Sequence, residues 1–203
     1  GGMNMIDKVT GSRIANDIHT ELIEMWKALV YDDWFAPTNI TEETYNKVKN
    51  EKQNYEPWLL AYIGFNSYGG KYFAGYRRDK QGKRNYWNEH RNNIYKQLPN
   101  LKDVVFKNDS FTDLVLPKDS IIYCDPPYEN TTKYKTDFNH ILFWDWVREK
   151  SKQGHKVYVS EYNAPSDFVC IWNKEAKSTF SANGVSGGTK QSVERLFVYN
   201  GCA

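Results

Sequence analysis

Three observations predict an α/β fold built on an open, doubly wound sheet with one long insertion. Short apolar segments end in an acid three times, at Arg13–Asp17, Asp103–Asp109 and Ser120–Asp125. Amphipathic helical stretches alternate with such segments, as in a chain that covers both faces of a largely parallel sheet. Residues 31–99 break this alternation with a polar, aromatic-rich texture, and so long an excursion between two strands of one sheet usually carries function.

Each element has its own signal. Arg13–Asp17 is a short strand leading into a helix, Ile18–Val30, with Ile18, Leu22, Met25/Trp26 and Leu29 on one face. Thr41-Glu-Glu opens a polar helix with Thr41 as N-cap, and Glu56-Pro57-Trp58 opens another with Pro in the first turn. The run Gly64–Arg78, rich in glycine and aromatics, suits loops and a hairpin, and a third helix covers Trp87–Leu98. After the Asp109 and Asp125 strands, Asp137–Gln153 is a helix with Phe138, Ile141, Leu142, Trp144/Asp145 and Val147 interleaved and Gly154 as its stop. Lys156–Ser160 and Val193–Tyr199 are the remaining strands expected.

Composition excludes several classes. The 203 residues carry 27 Lys+Arg against 25 Asp+Glu, a net charge of +2 that by itself points to no nucleic-acid partner. No apolar run approaches the roughly 18 residues of a membrane helix. No signal-peptide pattern opens the chain, so a cytoplasmic protein is expected. Cys124, Cys170 and Cys202 are far apart and odd in number, which fits reduced thiols, with Cys124 a small buried hydrophobe. His19, His90, His140 and His155 lack ligand spacing, so no metal is expected.

The candidate chemistry lies at the strand ends. In an open α/β sheet ligands sit beyond the carboxyl ends of the strands, so Asp17, Asp109 and Asp125 are expected to line one crevice. Asp17 follows Gly1-Gly2 at about the interval between a glycine turn and an acid that holds a ribose. An acid after a strand can equally cap the next helix. Asp125-Pro126-Pro127-Tyr128 is the strongest motif. Its two prolines stiffen the backbone and remove donors, leaving carbonyls free to accept. A carboxylate, a free carbonyl and a stacking ring suit a planar amine held by both hydrogens. The basic residues are concentrated too: Lys71, Arg77, Arg78, Lys80, Lys83, Arg84 and Arg91 stand against Asp79 and Glu89, a local +5 set on a remainder of −3. Tyr72, Phe73, Tyr76, Tyr86 and Trp87 interleave with them. This pattern suits a hairpin laid along DNA, and also a solvated basic loop.

These residues together resemble the Dam-like, D12-class DNA adenine-N6 methyltransferases. The resemblance is carried by Gly1-Gly2, Asn16-Asp17, Asn108-Asp109-Ser-Phe111, Asp125-Pro-Pro-Tyr128, Val159-Ser-Glu-Tyr162 and Asn183-Gly…Gly-Gly-Thr-Lys190. It implies a Rossmann-like sheet of the S-adenosylmethionine-dependent methyltransferase type. Residues 1–30 and 100–203 would form the catalytic domain and 31–99 a target-recognition region. It implies methyl transfer to a flipped adenine in duplex DNA, with Asp125, Pro126, Pro127 and Tyr128 catalytic. Gly1, Gly2, Asp17, Ile18, Asp109, Ser110 and Asp125 would bind S-adenosylmethionine. Lys71, Arg77, Arg78, Lys83, Arg84, Lys133, Asn183 and Lys190 would contact DNA. A monomer or weak dimer on DNA, in the cytoplasm of a bacterial or phage-infected cell, is implied as well. The family's first strand and the Phe of its cofactor loop would lie before Gly1, so two expectations stand open: an N-terminally truncated chain, favoured by the coincidence of Gly1-Gly2 with the motif, or a foreign Gly1-Gly2 ahead of a native Met3. Alternatives at this stage are a catalytically impaired DNA-binding remnant and a methyltransferase acting on an RNA or protein amino group.

Overall fold

The computed structural model describes residues 2–79, 81–129, 138–177 and 191–201. It is a mixed α/β structure dividing into two compact units, residues 1–113 and 114–203.

In the first unit, β1 (Arg13–Asn16) pairs in parallel with β2 (Val104–Lys107), with Arg13 opposite Val104 and Asn16 opposite Lys107. Helix α1 spans Thr20–Tyr31 and buries Leu22, Ile23, Met25, Trp26 and Leu29. It starts later than expected, with His19 as N-cap, because Asp17 turns the chain before the helix can form. Ile18 is therefore outside the helix and 68% exposed rather than on its core face.

Helix α2 (Glu42–Asn50) is capped by the Thr41 side chain, which accepts the Thr44 N–H, and α3 (Pro57–Phe65) begins with its proline, both as the sequence indicates. α3 is apolar all round, as befits a helix surrounded by protein, and it packs on α1. Helix α4 (Tyr86–Gln97) is capped by Asn85. These helices share one hydrophobic core with α1, β1 and β2, containing Trp26, Tyr45, Tyr62, Leu101 and Val104.

The hairpin expected in Gly64–Arg78 is replaced by turns. Among the described residues this run forms no strand, and tyrosine hydroxyls hold it instead. Tyr45 Oη accepts the Gly75 N–H at 3.1 Å and lies 2.7 Å from Ser67 Oγ, while Tyr76 Oη donates to the Ile40 carbonyl at 2.8 Å. Gly64 is required at the end of α3. A Cβ there would lie 2.5 Å from the Tyr72 ring and 2.9 Å from Phe73, whose N–H donates to the Gly64 carbonyl.

The second unit is a four-stranded sheet in the order β3-β4-β6-β5, formed by Ile121–Cys124, Lys156–Glu161, Gln191–Tyr199 and Phe168–Lys177 respectively. β3 and β4 are parallel, and β6 runs antiparallel to both β4 and β5. Helix α5 (His140–Lys152) lies against β4 and β6 through Phe143, Trp144, Trp146 and Val147, with Asn139 as N-cap accepting the Leu142 N–H. Asp137, the expected helix start, lies outside the described residues. The buried stripe is offset from the expected one, leaving Ile141 78% exposed and Leu142 46% exposed. Gly154 closes the helix in the left-handed conformation (φ +95°), as expected of a C-terminal glycine.

Candidate active site

At the β1 and β2 ends, two asparagines stitch the chain together. Asn16 Nδ2 donates to the Asp109 carbonyl at 2.9 Å, and Asn16 Oδ1 accepts the Asp109 N–H at 3.0 Å. Asn108 Nδ2 donates to the Asp17 carbonyl at 2.8 Å, and its Oδ1 accepts from Thr20 Oγ1 at 2.8 Å. The side-chain amides continue a backbone ladder that the strands themselves have ended. Asp17 and Asp109 are thereby held at neighbouring strand ends, both half-buried. Asp17 Oδ1 accepts the His19 N–H at 2.9 Å, so part of its role is the local turn that the capping alternative anticipated. The Asp109 carboxylate has no hydrogen-bond partner among the described residues. Ser110 Oγ closes a small turn with Thr112 Oγ1 at 2.8 Å, and Gly2 offers its carbonyl to Gln97. Gly1 lies outside the described residues.

In the second unit the chain leaves β3 at Cys124 and enters Asp125-Pro-Pro-Tyr128. The Asp125 carboxyl is open to solvent on one side and crowded by protein on the other. That desolvation, reinforced by Glu194, raises its pKa and makes it a better proton acceptor than an ordinary aspartate. The Pro126 carbonyl accepts no hydrogen bond among the described residues. Tyr128 is fixed twice, by a 2.6 Å hydrogen bond between its hydroxyl and Ser160 Oγ and by an edge-on contact with the Tyr162 ring at 4.7 Å. Burial raises its pKa, so the hydroxyl stays protonated. The motif ends with the Glu129 N–H donating to Glu161 Oε1 at 3.2 Å. Cys124 is inert, its thiol pushed up to about 12 by burial.

The basic segment is organised by its acids. The Asp79 carboxylate accepts N–H bonds from Gln81, Lys83 and Arg84, which folds the loop and lowers the Asp79 pKa. Arg84 is paired with Glu89, and Arg78 with Glu42, an acid outside the counted stretch. Arg77 donates to Asn66 Oδ1 at 3.1 Å and lies 4.2 Å from the Tyr86 ring centre. The +5 read from the sequence is thus moderated by a third acid, while Lys71 and Lys83 are exposed. Exposed pairs of this kind contribute little to stability. Lys80, Lys133, Asn183 and Lys190 lie outside the described residues.

The model of the D12 class N6 adenine-specific DNA methyltransferases matches residues 38–186. The chain belongs to this family. It is an adenine-specific DNA methyltransferase, and its substrate class is duplex DNA. The matched span includes the basic segment, Asp109, Asp125–Tyr128 and Glu161.

Several features of the methyltransferase's site were not foreseen from sequence. Glu161 is 2% exposed, although its residue type is rarely buried. Its signal was available: it falls in phase with the buried Val157 and Val159, where an apolar side chain would be ordinary. Asn16 and Asn108 were visible only as neighbours of the acids. No group of His, Cys, Asp and Glu among the described residues could hold a metal ion. No helix among them is long and apolar enough to cross a membrane.

Proposed function

We propose that this methyltransferase moves a methyl group from S-adenosylmethionine to N6 of an adenine flipped out of duplex DNA, with Asp125–Tyr128 holding the amine. One observation carries the reading. The solvent-open Asp125 carboxylate and the Pro126 carbonyl, unengaged among the described residues, share a stiff loop pinned at Tyr128 and Glu129.

Flipping is required because the amine cannot be reached while the base is stacked. Asp125 and the Pro126 carbonyl accept the two N6 hydrogens, which concentrates lone-pair density on the nitrogen. Tyr128 presents a ring for the base to stack on. Asp125 then takes the proton that N6 loses as its new bond to carbon forms, and passes it to solvent. S-adenosylmethionine, when bound, supplies an electrophilic methyl on sulfur. The residues present fit it: Asp17 and the Asp109 carboxylate, which has no hydrogen-bond partner among the described residues, stand at adjacent strand ends, with exposed Ile18 and with Ser110 beside them, and Gly2 belongs to the same reading. Asp17 would hold the ribose and Asp109 the adenine amine of the cofactor. The barrier falls through positioning and electrostatics.

A Rossmann-like doubly wound fold is part of this reading, supported by the parallel β1–β2 and β3–β4 pairs and by the acid that follows each of three strands. Residues 31–99 act as the target-recognition region, with Lys71, Arg77, Arg78, Lys83 and Arg84 on phosphates or guanines and Lys133, Asn183 and Lys190 as further contacts. Residues 1–30 and 100–203 act as the catalytic domain. The test is incubation of mixed-sequence duplex DNA with protein and S-adenosylmethionine, followed by nucleoside digestion and mass detection. N6-methyladenine within one sequence context supports the reading, and methylcytosine or unmodified DNA contradicts it.

A further inference from the structure

We propose that Glu161 is a positioning residue for methyl transfer, a buried carboxylate at the end of β4 that fixes the exit of the Asp125–Tyr128 loop by accepting the Glu129 amide. The proposal rests on reading that loop as the amine-holding site.

Three successive residues of β4 and its exit hold the loop at two residues, Tyr128 and Glu129. Ser160 Oγ binds the Tyr128 hydroxyl at 2.6 Å. Glu161 Oε1 accepts the Glu129 N–H at 3.2 Å and the Tyr162 N–H at 3.0 Å. The Tyr162 ring meets the Tyr128 ring edge-on. Parallel pairing of β3 with β4 sets Cys124 opposite Val159, so Glu161 lies just beyond the last pair of this ladder, where the loop departs.

An acid at this position is unfavourable for packing alone. Val157 and Val159, in the same phase of β4, form the core beneath α5, and a third apolar residue would satisfy that core. Nor does an ion pair account for the acid. Arg195, opposite Glu161 on β6, donates to the Tyr162 carbonyl, and Glu161 Oε2 is buried with no hydrogen-bond partner among the described residues. What the carboxylate does satisfy is two backbone donors at the point where the loop turns away from the sheet. Without it, the Glu129 amide loses its partner and the motif is anchored by Tyr128 alone.

The charged groups that act on Glu161 are Asp125 and Glu129 from the loop after β3, and Arg195 stands opposite it on β6. Burial pushes the Glu161 pKa up to about 7, with Glu129 and Asp125 adding to the rise and the two amides opposing it. The ionised form, which grips amides more strongly than the neutral acid, is therefore lost as pH falls through about 7.

The test uses the full chain with duplex DNA and S-adenosylmethionine, comparing wild type, Glu161→Leu, Glu161→Gln and Asp125→Ala. Glu161→Leu should lower kcat by about tenfold or more, in line with the cost of slight misplacement, with the KM for DNA nearly unchanged. Glu161→Gln keeps one acceptor and should recover much of that loss at pH 8. It should also lack the acid-side decline of kcat expected of wild type through about pH 7. Wild-type kcat in Glu161→Leu, or an acid limb retained by Glu161→Gln, would overturn the proposal. If Glu161→Leu does not fold, the Glu161→Gln profile still decides. Activity in Asp125→Ala would instead remove the reading of the loop itself. An inactive Asp125→Ala beside a fully active Glu161→Leu would remove only the role of Glu161.

Discussion

Replacing Asn16 with Ala tests the idea that side-chain amides hold the two acids of the first unit in place. The substitution deletes both bonds between Asn16 and the Asp109 backbone, at 2.9 and 3.0 Å, and removes little apolar packing because Asn16 is half-buried. Each such bond is worth about 1 kcal/mol net, so the pair contributes about 2 kcal/mol. In a chain of this size that is a fall of about 4–8 °C in thermal midpoint. Asn16→Asp keeps the acceptor for the Asp109 N–H but sets a carboxylate oxygen against the Asp109 carbonyl, so it should be no more stable than Asn16→Ala. Freed of its clasp, Asp109 should bind S-adenosylmethionine about tenfold more weakly, measured by titration calorimetry on both variants. A midpoint within about 1 °C of wild type with unaltered cofactor affinity would refute the argument.

Further outcomes follow from other parts of the molecule. Ile23→Ala, at a fully buried site in α1, should cost about 2–5 kcal/mol in urea unfolding. Asn139→Ala removes the acceptor for the Leu142 N–H at the start of α5 and should cost about 1 kcal/mol. Burial, with nearby Arg77 adding, pushes His90 down to about 4. The unfolded chain therefore binds a proton that the folded chain refuses between about pH 6.5 and 4, and stability falls as pH drops through that window. His90→Phe should flatten this fall in thermal melts at stepped pH. Lys71→Ala and Lys83→Ala should each reduce the salt dependence of DNA binding by about one unit of log–log slope, read from fluorescence anisotropy.

What was legible in the sequence was whatever local chemistry decides. Thr41, Pro57 and Gly154 mark helix ends through caps and fixed φ, and the structure places them accordingly. β5 was not foreseen, because its register shifts between Cys170 and Trp172 and the bulge breaks the alternation that would have announced a strand. The expected hairpin depended on glycines and aromatics whose partners are distant. Tyr45 folds that run by accepting the Gly75 amide from 30 residues away, which no local pattern encodes. Ile18 and Ile141 were assigned to buried faces by periodicity, yet each sits where its helix has not begun or has just begun. At the site, the Asp125 motif could be read directly because its chemistry lies in consecutive residues. Asn16, Asn108 and Glu161 could not, because each acts on a backbone group of another strand end.

The central claim, that Asp125 holds the amine during methyl transfer, is tested most directly with Asp125→Ala. Transfer of tritiated methyl groups to duplex DNA should fall below detection, while S-adenosylmethionine binding measured in parallel by calorimetry stays within a few-fold of wild type. Methyl transfer by this variant at a rate near that of wild type would contradict the account.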